Sequence, residues 1–415
     1  MVQAARDVAC TQHRGTLTQP TLLARQAFLN ASTAARLSPR QQFFILELPE
    51  KGTLTPARMI AKARHGTGET LRVEISSMNL SRRKVIVASV GLGSVAAFSA
   101  ALGIRNMFAG GTPELLTRTT KALGTEVSIS IAHADPALAE AAIDAAFKEL
   151  DQVEAVLSIY RPDSQVSRLN ETGRIDNPHP FLREVLAASL QLSQRTLGAF
   201  DVTIQPLWQT YLDAYRQERL PVVRELDEAR AKIGWRKVEV AEDHIHLALQ
   251  GMAVTFNGIA QGFALDRIRS VLKNQGIQHA LIDVGELGAL GRKSADEPWQ
   301  SGVQHPRQAD AFVAVVPLDD RCLATSGDYA TTFTRNREHH HILDARTGRS
   351  PLELASASIL APTGMLADGL STASFILGAE QGRKLVNQYE NVDALFITKD
   401  GRQFATPGFP ALEES

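Results

Sequence analysis

The chain has 415 residues, 44% of them apolar, which suits a folded protein of one large domain or two and names no function. Its formal charge of -1 conceals an imbalance, since residues 1–77 hold ten Lys and Arg against five Asp and Glu, whereas residues 105–415 hold 31 against 40. An acidic body argues against nucleic acid as a partner, and two cysteines, Cys10 and Cys322, supply neither a zinc spacing nor a disulfide framework.

Residues 1–77 show no sustained helical or strand period and read as a disordered leader, or as sequence ahead of a true start at Met78. From Met78 a basic stretch with Ser81-Arg82-Arg83-Lys84 leads into residues 87–104, which carry no charge and are rich in Ala, Gly, Ser and Val before Arg105. Paired arginines ahead of a mildly apolar run form a twin-arginine export signal over 78–104. The expected location is the periplasm, with the signal removed or retained as an inner-membrane anchor.

Past the signal, Thr125 to Ile131 alternates as a strand, and Asp135-Pro136 supplies an N-cap and a first-turn proline for a helix reaching Leu157. Phe181 to Leu197 and residues 219–233 read as helices, and Val238 to Leu249 as two short strands around Glu242-Asp243. Met252 to Phe256 reads as a buried strand and Phe263 to Leu272 has helical apolar spacing. His279 to Val284, Val303 to Val316, Ala355 to Ala361 and Val392 to Thr398 are further strands. Asp368 to Leu377 and Glu380 to Gln388 are helical. Elements mix without strict βαβ alternation, and no linker divides residues 113–415. The expectation is one α+β domain with mixed sheets and packed helices.

Between the predicted strand and helix lies Asn257-Gly258-Ile259-Ala260-Gln261-Gly262. Glycines here let the backbone approach a ligand, and the amides that open the helix suit a pyrophosphate. Other polar segments are Ala122-Leu123-Gly124-Thr125, Tyr160-Arg161-Pro162-Asp163, Gly198-Ala199-Phe200-Asp201-Val202-Thr203, Thr325-Ser326-Gly327-Asp328-Tyr329, His341-Ile342-Leu343-Asp344-Ala345-Arg346-Thr347-Gly348 and Ala367-Asp368-Gly369-Leu370-Ser371-Thr372. The run His339-His340-His341 reads as a solvated strand edge, and Asp344 to Gly348 as a solvated turn. Asp368 and Thr372, four apart on a helix, share a face, and two hard oxygens there suit magnesium.

These segments, in this order, resemble the ApbE family of FAD:protein FMN transferases over roughly residues 115–410. The resemblance implies that Leu123, Tyr160, Ala199, Phe200, Asp201, Thr255, Gln261 and Leu343 line an FAD site. It implies Mg²⁺ held by the Gly258 carbonyl, Asp368 and Thr372, with the Ser371 carbonyl as a further ligand. It also implies work outside the cytoplasm, in which the hydroxyl of a threonine on a membrane or periplasmic flavoprotein attacks the FMN-side phosphorus of FAD and AMP leaves. Asp368 is then the principal charged ligand, with His341 or Asp344 assisting proton transfer.

Leu123 stands where relatives usually carry methionine, Thr255 for aspartate and Gln261 for lysine or glutamate, and Val284-Gly285-Glu286 lacks one glycine of the usual Gly-Gly-acidic turn. The Asn257 to Gly262 run is similar to members linked to nitrous oxide reductase maturation (NosX-type). The lost charges at Thr255 and Gln261 make a non-catalytic FAD carrier an alternative, and an FAD pyrophosphate hydrolase is another.

Overall fold

The computed structural model describes residues 114–410 apart from Ala295 and Ala309, together with the backbone of 59–64 and 70–75. The export signal lies outside the described residues, as does most of the stretch read as a leader. Within that stretch β1 (Met59–Arg64) and β2 (Thr70–Ile75) pair antiparallel, in a compact unit of their own.

The second unit holds the remaining elements. In chain order they are β3 (Glu114–Ala122), β4 (Thr125–His133), α1 (Pro136–Leu157), α2 (Gln165–Thr172), β5 (Arg174–Asp176), α3 (Pro180–Arg195), α4 (Gln205–Arg216), α5 (Val223–Arg230), β6 (Val238–Val240), β7 (His244–Leu247) and α6 (Ala260–Asn274). There follow β8 (Ala280–Asp283), β9 (Leu287–Leu290), β10 (Gln300–Gln304), β11 (Phe312–Pro317), β12 (Cys322–Gly327), β13 (Leu354–Ala361), α7 (Gly364–Val386), β14 (Asp393–Thr398) and β15 (Gln403–Ala405). Eight strands form one sheet in the order β15-β14-β13-β12-β9-β8-β4-β3, every pair antiparallel.

Period-two patterning explains why both sheet faces are covered. Ala280, Ile282, Ala394 and Phe396 join the core beneath the helices, while Leu281, Leu395 and Ile397 point to the opposite face. There they meet Val303, Ala314 and Val316 of the β10–β11 ladder and Trp299 just before it. The α+β expectation holds, as three layers: helices, large sheet, small ladder.

Asp135 caps α1 by accepting from the Ala137 and Leu138 N–H groups, with Pro136 at the first position, as its sequence dictates. Gly378, at φ 82°, separates the two predicted halves of α7. Three expectations are corrected. The 219–233 helix shrinks to Val223–Arg230, and the 303–316 strand is two strands joined by a turn. Met252 to Phe256 is not a strand.

That last segment alternates as predicted, with Met252, Val254 and Phe256 buried, but it joins no ladder. Its backbone is satisfied instead by the Asn170 side chain, which accepts from Val254 N–H at 2.7 Å and donates to Val254 carbonyl at 2.8 Å. Asn170→Ala would leave both groups buried and unpaired. We expect it to cost about 3 kcal/mol in denaturant unfolding; a loss below about 1 kcal/mol would show that the segment is held by other contacts.

Candidate active site

Helices α6 and α7 cross at two glycines. A Cβ on Gly262 would lie 2.1 Å from the Gly364 carbonyl oxygen, and one on Gly364 would lie 2.5 Å from that of Gly262, so only glycine permits this backbone approach. Each helix caps the other. Asp266 of α6 accepts from the Gly364 and Met365 N–H groups at 2.7 and 2.8 Å. Asp368 of α7 accepts from Gly262 N–H at 2.9 Å, and the Gln261 amide also bonds to it. Because Ile259 provides no side-chain cap for α6, the cap comes from α7.

Around Asp368 the donors are all oxygens. Thr372 stands one turn on, as its spacing predicts, and a Cβ on Gly258 would lie 3.0 Å from Thr372 Oγ1. Ser326, on β12, hydrogen-bonds Ser371 Oγ at 2.9 Å and Thr372 Oγ1 at 3.1 Å, tying α7 to the sheet. Its neighbour Thr325 donates its N–H to Glu286 Oε2 at 3.2 Å. Gln261 donates to the Val284 carbonyl, and its amide packs against Gly285.

Glu286 is the residue that sequence reasoning left out of the site. It is only 8% exposed and Asp368 only 3%. Burial pushes the Asp368 carboxyl up to about 7, and burial together with the Asp368 charge raises Glu286 well above the ordinary carboxylate range. Among the described residues no Lys or Arg compensates this pair. The acidic residue of the Val284-Gly285-Glu286 turn was the available signal.

The cluster therefore fits a hard divalent cation, which takes oxygen ligands and supplies the missing positive charge. No group of three or more His, Cys, Asp or Glu side chains among the described residues is placed to hold a metal. A cation here must draw on hydroxyls and carbonyls as well as carboxylates, as magnesium does.

A pH dependence follows. Folding raises the Asp368 pKa from 3.8 to about 7, so between those values the folded state holds a proton that the unfolded chain releases. Stability is then greatest at the acidic end and falls as pH rises through the window. In chelator, the melting temperature should drop by at least about 4 °C between about pH 5 and pH 7.5. Asp368→Asn should flatten that slope, and a slope unchanged in this variant would refute the assignment.

Of the other predicted site residues, Tyr160 and the 198–203 loop bond to the glycine segment, whereas Leu123, His341, Leu343 and Asp344 make their contacts elsewhere. Leu123 (φ 52°) and Gly124 (φ 76°) form the two-residue turn between β3 and β4, with Leu123 N–H donating to Glu154. Tyr160 is 65% exposed, and its hydroxyl accepts from the Asn257 side chain at 3.3 Å. Ala199 and Phe200 are buried. Asp201 binds Thr203 through its N–H and hydroxyl, and binds the Trp235 N–H, so it fastens its own loop. Thr255 donates its N–H to the Val202 carbonyl at 2.9 Å, which joins the 198–203 loop to the glycine segment.

His341, Asp344 and Leu343 come from one segment with different surroundings. Leu343 packs with Leu207, Tyr211 and Phe333. Asp344 is buried, not solvated as its sequence suggests, and Arg346 grips both its oxygens. In the histidine run only His340 is buried, while His339 and His341 are part-exposed. His340 is fully enclosed and pushed down to about 4, and burial also lowers His341, whose Nδ1 meets the Thr331 carbonyl at 3.1 Å. A neutral imidazole with Nδ1–H donating to that carbonyl leaves Nε2 to accept a proton.

Comparison with known proteins bears on this arrangement. The model of the ApbE family matches residues 123–396. The FAD:protein FMN transferase of Haemophilus influenzae is 31% identical over 281 residues, covering 64% of this chain and 80% of the relative. That of Treponema pallidum is 31% identical over 317 residues, covering 70% and 87%. Among solved structures, the apo flavinyl transferase ApbE of Pseudomonas stutzeri superposes with a TM-score of 0.63 at 29% identity, covering 73% of this chain and 98% of that one. The apbe protein of Thermotoga maritima gives 0.65 at 26%, covering 71% and 97%. The family model matches well over half of the chain, and the chain belongs to the ApbE family.

Proposed function

We propose that the protein is an FAD:protein FMN transferase that moves FMN from FAD to a threonine hydroxyl of a target protein. The observation that carries this reading is the uncompensated buried carboxylate pair, Asp368 and Glu286, at the amide-rich start of α6. Such a centre calls for a cation and a phosphorylated ligand together.

Asp368, Thr372 and the Gly258 carbonyl, with the Ser371 carbonyl, would hold Mg²⁺, which supplies charge compensation for a diphosphate. In the reaction the threonine oxygen bonds to the FMN-side phosphorus while the phosphoanhydride bond breaks and AMP departs. The hydroxyl proton passes to His341 Nε2, kept neutral by burial. Asp344 holds the turn through Arg346. In this reading the Tyr160 hydroxyl, the 198–203 loop and Leu123 would line the flavin dinucleotide.

The acceptor in this reading is a membrane or periplasmic flavoprotein, and the protein itself acts in the periplasm after twin-arginine export. Support comes from Ser81-Arg82-Arg83 and the uncharged run behind it. Incubating FAD and Mg²⁺ with and without a threonine-bearing acceptor tests the reaction. AMP should appear only with acceptor present. Equal AMP without acceptor would make the protein a hydrolase, and intact FAD throughout would make it a carrier.

A further inference from the structure

Trp235 and Arg236 form a stacked pair at the edge of the 198–203 loop. The Arg236 guanidinium lies over the Trp235 indole, 4.1 Å from its centroid, and is exposed. Trp235 is itself held from two sides. Its backbone N–H donates to Asp201 Oδ2 at 3.1 Å, and a Cβ on Gly198 would lie 3.3 Å from the indole Nε1. At φ 82° and under an indole, position 198 requires glycine. Residue 235 is therefore fastened through its backbone to the 198–203 loop, with its ring over Gly198, and the Thr255–Val202 bond joins that loop to the glycine segment.

The charge around the indole is unusual for this chain. Among the described residues Lys232, Arg236 and Lys237 form no ion pair, in a body where acids outnumber bases, although burial raises the Asp201 carboxyl and the Arg236 charge reaches it and lowers it in part. Other surface arginines, Arg216, Arg219 and Arg230 among them, have carboxylate partners. Stacking on an indole orients a guanidinium and leaves its planar N–H fork free for a phosphate. An exposed, oriented arginine whose fork makes no hydrogen bond among the described residues, on a residue pair fastened to the 198–203 loop, is a ready anion receptor.

We infer that Arg236, held flat on Trp235, receives a phosphate of the flavin dinucleotide and sets the affinity for FAD. This rests on the reading of the protein as an FAD transferase. The fork supplies binding that changes little along the reaction, so its loss should appear in affinity more than in turnover.

The test is FAD binding, followed by flavin fluorescence, for the full chain and for Arg236→Ala and Arg236→Lys at low and high salt. At low salt Arg236→Ala should weaken FAD binding at least about tenfold and Arg236→Lys less, since lysine keeps the charge and loses the fork. The gap should narrow at high salt, where charge is screened. Arg236→Ala should melt within about 1 °C of the parent, because the side chain is exposed. Parent-like affinity in Arg236→Ala at low salt, or a loss indifferent to salt, would overturn the inference. A parent protein that binds no FAD would instead overturn the transferase reading beneath it.

Discussion

Asp368→Asn should abolish FMN transfer while leaving a folded protein. The asparagine oxygen still accepts from Gly262, so α6 keeps its cap, but the negative charge is gone from the cation site. We expect transfer, as kcat/KM, to fall at least about 1000-fold, or about 4 kcal/mol of transition-state stabilisation. Mg²⁺ should no longer raise the melting temperature of this variant. Asp368→Ala should show the same loss of activity and a lower stability as well, because the α6 amides then lose their acceptor. An Asp368→Asn protein with undiminished transfer would remove Asp368 from the site.

Gly262→Ala tests the architecture rather than the charge. The added methyl would lie 2.1 Å from the Gly364 carbonyl oxygen and 2.7 Å from Asp368 Cβ. The first obstacle is backbone, so the helices must separate. Separation would pull Asp368 off the α6 amides and Asp266 off those of α7, undoing both caps at once. The expected cost is about 3 kcal/mol or more in unfolding free energy, with transfer activity lost in the protein that remains folded. Parent-like stability would show that the crossing is looser than the backbone contact indicates.

The legible part of this molecule was local. Asp135-Pro136, the apolar spacing of Phe263 to Leu272 and the break at Gly378 act on their own neighbours, and each appears where the sequence places it. Gly258, Gly262, Asp368 and Thr372 could be singled out, and the fold brings them together.

What the sequence hid depends on long-range partners. Met252 to Phe256 has a strand pattern, but its ladder is the side chain of Asn170, 84 residues away. The reciprocal caps join residues about a hundred positions apart, as Asp368 does to Gly262. Asp344 is the local exception, buried with its carboxylate held by Arg346 only two residues on. Glu286 looks like a turn residue until the sheet carries it beside Asp368.

The measurement that reaches the central claim most directly is the intact mass of a candidate acceptor protein after incubation with the enzyme, FAD and Mg²⁺. The account predicts an acceptor heavier by one phosphoester-linked FMN, abolished when the target threonine is replaced by alanine. An unchanged acceptor mass across periplasmic and membrane flavoproteins, with FAD bound throughout, would contradict it.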